Sequence, residues 1–362
     1  MTPEVAGSGA PAGRSGSRWI DPDSEDMAAA TAGQDAQIRT SLSSYKPLEG
    51  LGDPARLRAV AVAGMGGSAV AGEVLQAFAA PRSAVPVVLL NDGSAPKFLG
   101  RDTLVFAVSL SGNTEETLAT AAAALASGAP LVAVSGGGEL ETLAADAGAP
   151  HIRITPGVRQ SRAAAASSVT QLLLVCEQLG LLSGARQQLG LAAVQLGKRR
   201  AELEGGSGIA AEVARQIGRT IPIFHGLSGL AAVAARRWKT QVNENGKAPA
   251  FFAVQPEACH NEICGFGQNG DVTRQILTLV NLRTGFEPAG MNRRIELFEE
   301  VTTEALARVI HIEGQGEGEL ARFFDLVMIG DFVSLHVAAR EGIDPGPVPA
   351  ISELKEHLEA GG

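Results

Sequence analysis

The chain has 362 residues, 45% of them apolar and 19% charged, with a formal net charge of −9. That is material for about two domains, each able to bury its own core. The negative excess argues against sequence-independent binding to nucleic acid or anionic lipid, which would meet net repulsion, so an anionic ligand needs a local site.

Residues 1–20 are expected as a disordered tail, since up to about Ser17 they are rich in Gly, Ser, Ala and Pro and offer too little apolar surface to offset ordering entropy. From Asp21 to about Tyr45 the pattern is helical, with Asp21 as N-cap and Pro22 in the first turn. The apolar run 57–63 then breaks at Gly64-Met65-Gly66-Gly67-Ser68 and resumes as a helix to Phe78, a strand–glycine turn–helix unit. Strands follow at 87–90, at 103–108, at 131–134 and at 151–154. The third unit ends in Ser109-Leu110-Ser111-Gly112-Asn113-Thr114 and opens a helix at Glu115. Val- and Leu-rich strands alternating with helices predict a parallel sheet covered on both faces.

A charged helix ending near Arg200 leads into the Gly-rich stretch 204–208, read as the linker between a first domain, 21–203, and a second, 204–362. Strand patterns recur at 220–224, weakened by Pro222, then at 275–281 and 308–312. The turn Gly226-Leu227-Ser228-Gly229, leading into a helix through Arg237, echoes the Gly64 turn, and 309–312 with its helix through Arg340 echoes 151–154. The halves read as weak copies of one α/β fold.

No apolar run reaches the roughly 18–20 residues of a bilayer span and no signal pattern opens the chain, so a cytoplasmic protein without a membrane partner is expected. Cys176, Cys259 and Cys264 lack zinc-like paired spacing and read as reduced thiols.

Two loops bear on ligand chemistry. Gly64, Gly66 and Ala69, with Asp92 past the next strand, fit a loose dinucleotide fingerprint, whose bland alternative is close helix–strand packing. Ser109, Ser111 and Thr114 cluster at a helix N-terminus, where free N–H groups and the helix dipole favour negative charge. Plain capping, with Asn113 as N-cap and Glu116 completing a box, is the alternative there. Two Ser-bearing loops at the carboxyl ends of parallel strands are better explained as walls of one anion pocket, and without a P-loop Lys a nucleoside triphosphate is disfavoured.

These residues resemble the SIS (sugar isomerase) domain family, specifically its bifunctional phosphoglucose/phosphomannose isomerases. The resemblance rests on 64–68, on 109–117, on Arg236 through Asn245, on His260-Asn261-Glu262-Ile263, and on Asp344-Pro345 through Lys355. It implies two SIS-type domains and an aldose–ketose isomerase acting on a sugar phosphate, without metal or cofactor, as a homodimer. By the same resemblance Ser68, Ser109, Ser111 and Thr114 bind the phosphate beside the Gly66-Gly67 loop. Glu244 is the base moving a proton between C2 and C1, and Arg162 stabilises the enediolate. His260 opens the sugar ring from the neighbouring subunit, with Lys355 assisting. These residue types suit aldose–ketose chemistry, which needs a carboxylate for carbon-bound proton transfer, a fixed cation for the anionic intermediate, and a histidine for oxygen-to-oxygen proton movement.

Departures from the family pattern fall at Leu110, where an aromatic is common, at Ala258-Cys259 before His260, and at Gly346, in a turn that often bears a hydroxyl. Sugar preference is therefore open. An isomerase of another phosphosugar, a nicotinamide-dependent enzyme and a non-catalytic sugar-phosphate sensor are the alternatives.

Overall fold

A computed structural model describes residues 19–267 and 271–361. Residues 1–18, most of the expected tail, lie outside the described residues. Trp19 and Ile20, expected in that tail, are packed: the Trp19 ring stacks 4.3 Å from His336 and 6.1 Å from Phe332, and Ile20 is buried.

The first sheet has five parallel strands, β1 (Ala59–Ala63), β2 (Val87–Leu90), β3 (Thr103–Ser109), β4 (Leu131–Ser135) and β5 (His151–Arg153), in the order β2-β1-β3-β4-β5. β1, β3 and β4 are almost wholly buried, as expected for Val/Leu/Ala runs covered by helices on both faces. The second sheet has four parallel strands, β6 (Ile221–Leu227), β7 (Phe251–Gln255), β8 (Leu277–Arg283) and β9 (Arg308–Glu313), in the order β7-β6-β8-β9. Pro222 is tolerated because it precedes the β6–β7 register, which begins at Ile223 opposite Phe251.

Several expectations are corrected. The 21–45 segment is two helices, Met27–Ala32 and Gln34–Ser44. They begin later than expected because Asp23, not Asp21, supplies the capping carboxylate, accepting from the N–H groups of Met27 (2.7 Å) and Ala28 (3.0 Å). β7 is an unexpected edge strand. Shared strand order pairs β9 with β4 rather than β5, so 308–313 echoes 131–135 and β5 has no counterpart among the described residues. The helix expected to reach Arg237 runs on, Leu230–Glu244, which makes Glu244 a helix terminus.

One apolar cluster joins both halves around the Glu319–Arg340 helix, buried nearly end to end. Trp238 meets Phe224 edge-on at 5.4 Å and donates its indole N–H to Leu326 O (2.8 Å). Two buried carboxylates on the long helix are fully partnered, Asp325 by Arg199 and Gln195, and Asp331 by Arg237, Gln34 and Gln241. This frame ties the long helix to helices of both halves.

Candidate active site

In the first sheet β2 and β3 lie on opposite sides of β1, so the loops after β1 and β3 diverge and leave a crevice at their carboxyl ends. Both Ser-bearing loops line it. Ser109 Oγ lies 2.8 Å from Thr114 Oγ1 and 3.3 Å from Ser111 Oγ, while the Gly112 and Asn113 N–H groups donate to Ser109 and Ser111. Gly112 adopts φ +72° against Gly137 O, where a side chain could not fit. The capping box of Asn113 and Glu116 does not form. Thr114 is the N-cap of Glu115–Ala126, its hydroxyl turns to Ser109 instead of the helix, and Asn113 Oδ1 accepts from Glu139 N (2.9 Å). The first-turn N–H groups are thus left without a side-chain cap, as an anion site requires.

The crevice is a cavity of about 790 Å³ between the halves. Gly66, Gly67, Ser68, Ser109, Ser111, Thr114, Glu244 and Lys355 all line it, with Leu110 and Val348 in its wall. Asp92, the candidate ribose acid, is not among the lining residues and instead accepts from Ser94 N (3.0 Å). At the matching point of the second sheet the Thr284 N–H and hydroxyl are taken by the Glu287 carboxylate, at 2.5 and 2.9 Å.

Glu244 ends its helix because the backbone turns sharply at once: Asn245 is the C-cap and Lys247 sits at φ +49°. Lys247 Nζ donates to Glu244 O (2.5 Å), closing the helix end. Burial pushes the Lys247 ammonium below its ordinary value, and the neighbouring Arg162 charge pushes it the same way. Arg162 lies behind Glu244 rather than on the cavity wall, 2% exposed, with Nη1 3.4 Å from Glu244 Oε2. Burial lowers its guanidinium from the ordinary arginine range and the Glu244 carboxylate opposes that shift.

His260 is not brought to this cavity within one chain. It ends the short helix Glu257–His260, exposed, with Nε2 3.5 Å from Arg294 Nη1. His225 is buried in β6, hydrogen-bonding Glu262 (2.8 Å) and Gln255 (3.1 Å). That pair ties the His260 loop to the second sheet.

Sequence reasoning missed lining residues on the loop after β5. Arg159 reaches the cavity and, among the described residues, makes no hydrogen bond or ion pair, whereas Arg153 is held by Glu141 at 2.8 and 3.0 Å. Gln160 lines the cavity and also receives Arg162 Nη1 (2.8 Å). Their only sequence signal was proximity to Arg162.

Two SIS-type sheets, with a hydroxyl-floored crevice at the carboxyl edge of the first, the Glu244 carboxylate in its wall and Arg162 buried behind that carboxylate, define a double-SIS α/β protein of the phosphosugar-isomerase class. Solved structures share the fold: the C-terminal domain of glucosamine-fructose-6-phosphate aminotransferase from Francisella tularensis (TM-score 0.67, 14% identity, 88% of this chain and 96% of that one), and tagatose-6-phosphate ketose/aldose isomerase from Escherichia coli (TM-score 0.67, 16% identity, 94% and 98%). Residues 207–358 match the family profile described as "Bacterial phospho-glucose isomerase C-terminal SIS domain". Bifunctional phosphoglucose/phosphomannose isomerases from Caldicellulosiruptor bescii and Aquifex aeolicus are 34% and 30% identical over 83% of this chain, spanning 89% and 91% of theirs. A D-glucosamine-6-phosphate 4-epimerase from Sulfolobus acidocaldarius is 35% identical over a shorter stretch, 56% of this chain and 62% of its own. The chain belongs to the bifunctional phosphoglucose/phosphomannose isomerase family, and it is an isomerase. No helix among the described residues is long and apolar enough to cross a membrane.

Proposed function

We propose that this isomerase interconverts glucose 6-phosphate and mannose 6-phosphate with fructose 6-phosphate, through an enediolate, at the cavity between its halves. The observation that carries the reading is that Glu244 lines the same cavity as Ser68, Ser109, Ser111 and Thr114. The hydroxyls and helix N–H groups hold the phosphate, with Arg159 and Lys355 as the lining cations that have no partner among the described residues. Glu244 removes the C2 proton of the open-chain aldose, and the C–H electrons form the C1=C2 bond while O1 takes the negative charge. The proton on O2 passes to O1, Glu244 returns its proton to C1, and C2 becomes the ketose carbonyl. Arg162, beside Glu244 and shielded from water, stabilises the anionic intermediate. Both aldoses reach the same enediolate, which loses the distinction at C2.

His260 opens the sugar ring from a second subunit, which makes a homodimer the working unit; its exposure and its absence from the cavity of its own chain support that role. Lys355 assists. The domain border at 203/204, a cytoplasmic location and a place in glycolysis and gluconeogenesis belong to the same proposal. The epimerase relative favours one second reading, an amino-sugar phosphate as substrate. The test is fructose 6-phosphate formation from glucose 6-phosphate and from mannose 6-phosphate, beside glucosamine 6-phosphate. Turnover of both neutral aldoses supports the proposal, and turnover of the amino sugar alone replaces it.

A further inference from the structure

We infer that Asn245 is a positioning residue for this reaction, its neutral amide holding the Arg162 guanidinium against Glu244 without neutralising it. The inference rests on the reading of Glu244 as base and Arg162 as the cation of the intermediate. Arg162 has five N–H donors, and five acceptors surround them. Nε donates to Asn245 Oδ1 (2.7 Å), Nη1 to Gln160 Oε1 (2.8 Å) and Glu244 Oε2 (3.4 Å), and Nη2 to Pro345 O and Gly346 O (2.7 Å each). Four of the five are neutral, and among the described residues the only carboxylate in hydrogen-bond contact is the base itself. Glu25, a further acid acting on the guanidinium, is one residue removed, bound by Gln160 Nε2 at 2.5 Å.

The amide's orientation follows from its partners. Arg162 Nε–H can only donate, so Oδ1 faces it. Nδ2 then donates to Ser334 Oγ (2.9 Å), whose own proton goes to Asp331 O (2.6 Å). Asn245 and Ser334 are both 0% exposed, so no water substitutes for either bond. The Arg162 backbone is pinned from the same side, its carbonyl accepting from Arg237 Nη2 (2.7 Å), and Arg237 in turn pairs with Asp331. The guanidinium is therefore fixed at one end by the long helix and presents its remaining charge toward Glu244. An aspartate at 245 has the same size and accepts the same bond. It would also form a buried ion pair that takes up the arginine's charge, and it would face a Ser334 hydroxyl whose proton is already donated.

This separates charge from shape. In the full-length protein, Asn245→Asp is expected to lower kcat by about 30- to 100-fold, as loss of preorganised charge at a developing anion does. KM and inhibition by inorganic phosphate should stay within about twofold, because the phosphate loops are untouched. Ser334→Ala, which leaves the Nδ2 group without its acceptor, is expected to lower kcat by about 3- to 10-fold with the same unchanged KM. If Asn245 only fills space, Asn245→Asp keeps kcat within about twofold, and that result overturns the inference. Should Asn245→Asp fail to fold, Ser334→Ala decides, and an unchanged kcat there overturns it equally. Glu244→Gln run alongside tells the two failures apart. Turnover in Glu244→Gln sinks the assignment of the base, whereas an inactive Glu244→Gln beside an unimpaired Asn245→Asp sinks only the role of Asn245.

Discussion

Gly67 sits where the phosphate loop meets the turn that carries Arg162, and replacing it with alanine tests whether that junction sets the rate. A Cβ at 67 would lie 2.5 Å from Arg162 N, 2.7 Å from Arg162 Cα and 2.8 Å from Ser161 C. These are backbone atoms with no rotamer to escape into, and ordinary contact begins roughly 1 Å farther out. Either the 66–68 loop or the 161–164 turn must move by about that amount, and a displacement of about 1 Å at a catalytic constellation costs on the order of 100-fold in rate. Overpacking of this size also costs roughly 1–3 kcal/mol of stability. Gly66 is the internal control. It has φ +52° but nothing within 4 Å of its would-be Cβ, so Gly66→Ala meets backbone strain of about 1–2 kcal/mol and no collision. Steady-state kinetics with glucose 6-phosphate, with thermal unfolding of both variants, makes the comparison. The expected result is kcat/KM down by about 100-fold in Gly67→Ala and by less than about 10-fold in Gly66→Ala. A Gly67→Ala enzyme within about threefold of the parent would refute the reasoning.

Arg159→Ala is expected to raise KM by roughly fivefold with kcat unchanged, since a partly exposed charged contact is worth about 1 kcal/mol, and the salt dependence of KM should weaken. An unchanged KM would remove Arg159 from the site. Asp331→Leu strands Arg237, Gln34 and Gln241, and breaking a buried pair this way costs about 3–5 kcal/mol, read as the shift in urea unfolding midpoint; a loss under about 1 kcal/mol would contradict the partnered-frame account. His336 is pushed down by burial to about 4, with no partner for Nε2 among the described residues. Between its unfolded value near 6.5 and that lowered value the unfolded chain binds the extra proton, so its contribution to stability falls as pH drops through this window. His336→Phe should flatten the fall in melting temperature across that range, and an equal slope in both proteins would count against the assignment.

How much the sequence showed depended on burial. β1, β3 and β4 are Val- and Leu-rich because helices cover both faces, and such runs are plain to read. β7 was hidden because Phe251 and Phe252 are exposed at a sheet edge, where no alternation marks a strand. Trp19 and Ile20 were lost in a Gly/Ser-rich context, although their packing against the long helix comes from distant residues. In the site, the Ser/Thr loop and Glu244 were legible as local motifs. The cage around Arg162 was not, since four of its five acceptors come from residues 82 to 184 positions away. Its chemistry exists only once the two halves pack.

The central claim is that Glu244 moves a proton between neighbouring carbons of a bound sugar phosphate, and solvent deuterium reports it most directly. Incubated with glucose 6-phosphate in deuterium oxide, the parent enzyme should place deuterium on C1 of fructose 6-phosphate and on C2 of recovered aldose. Glu244→Gln should still be inhibited by inorganic phosphate yet incorporate at least about 100-fold more slowly. Incorporation at the parent rate in Glu244→Gln would contradict the account.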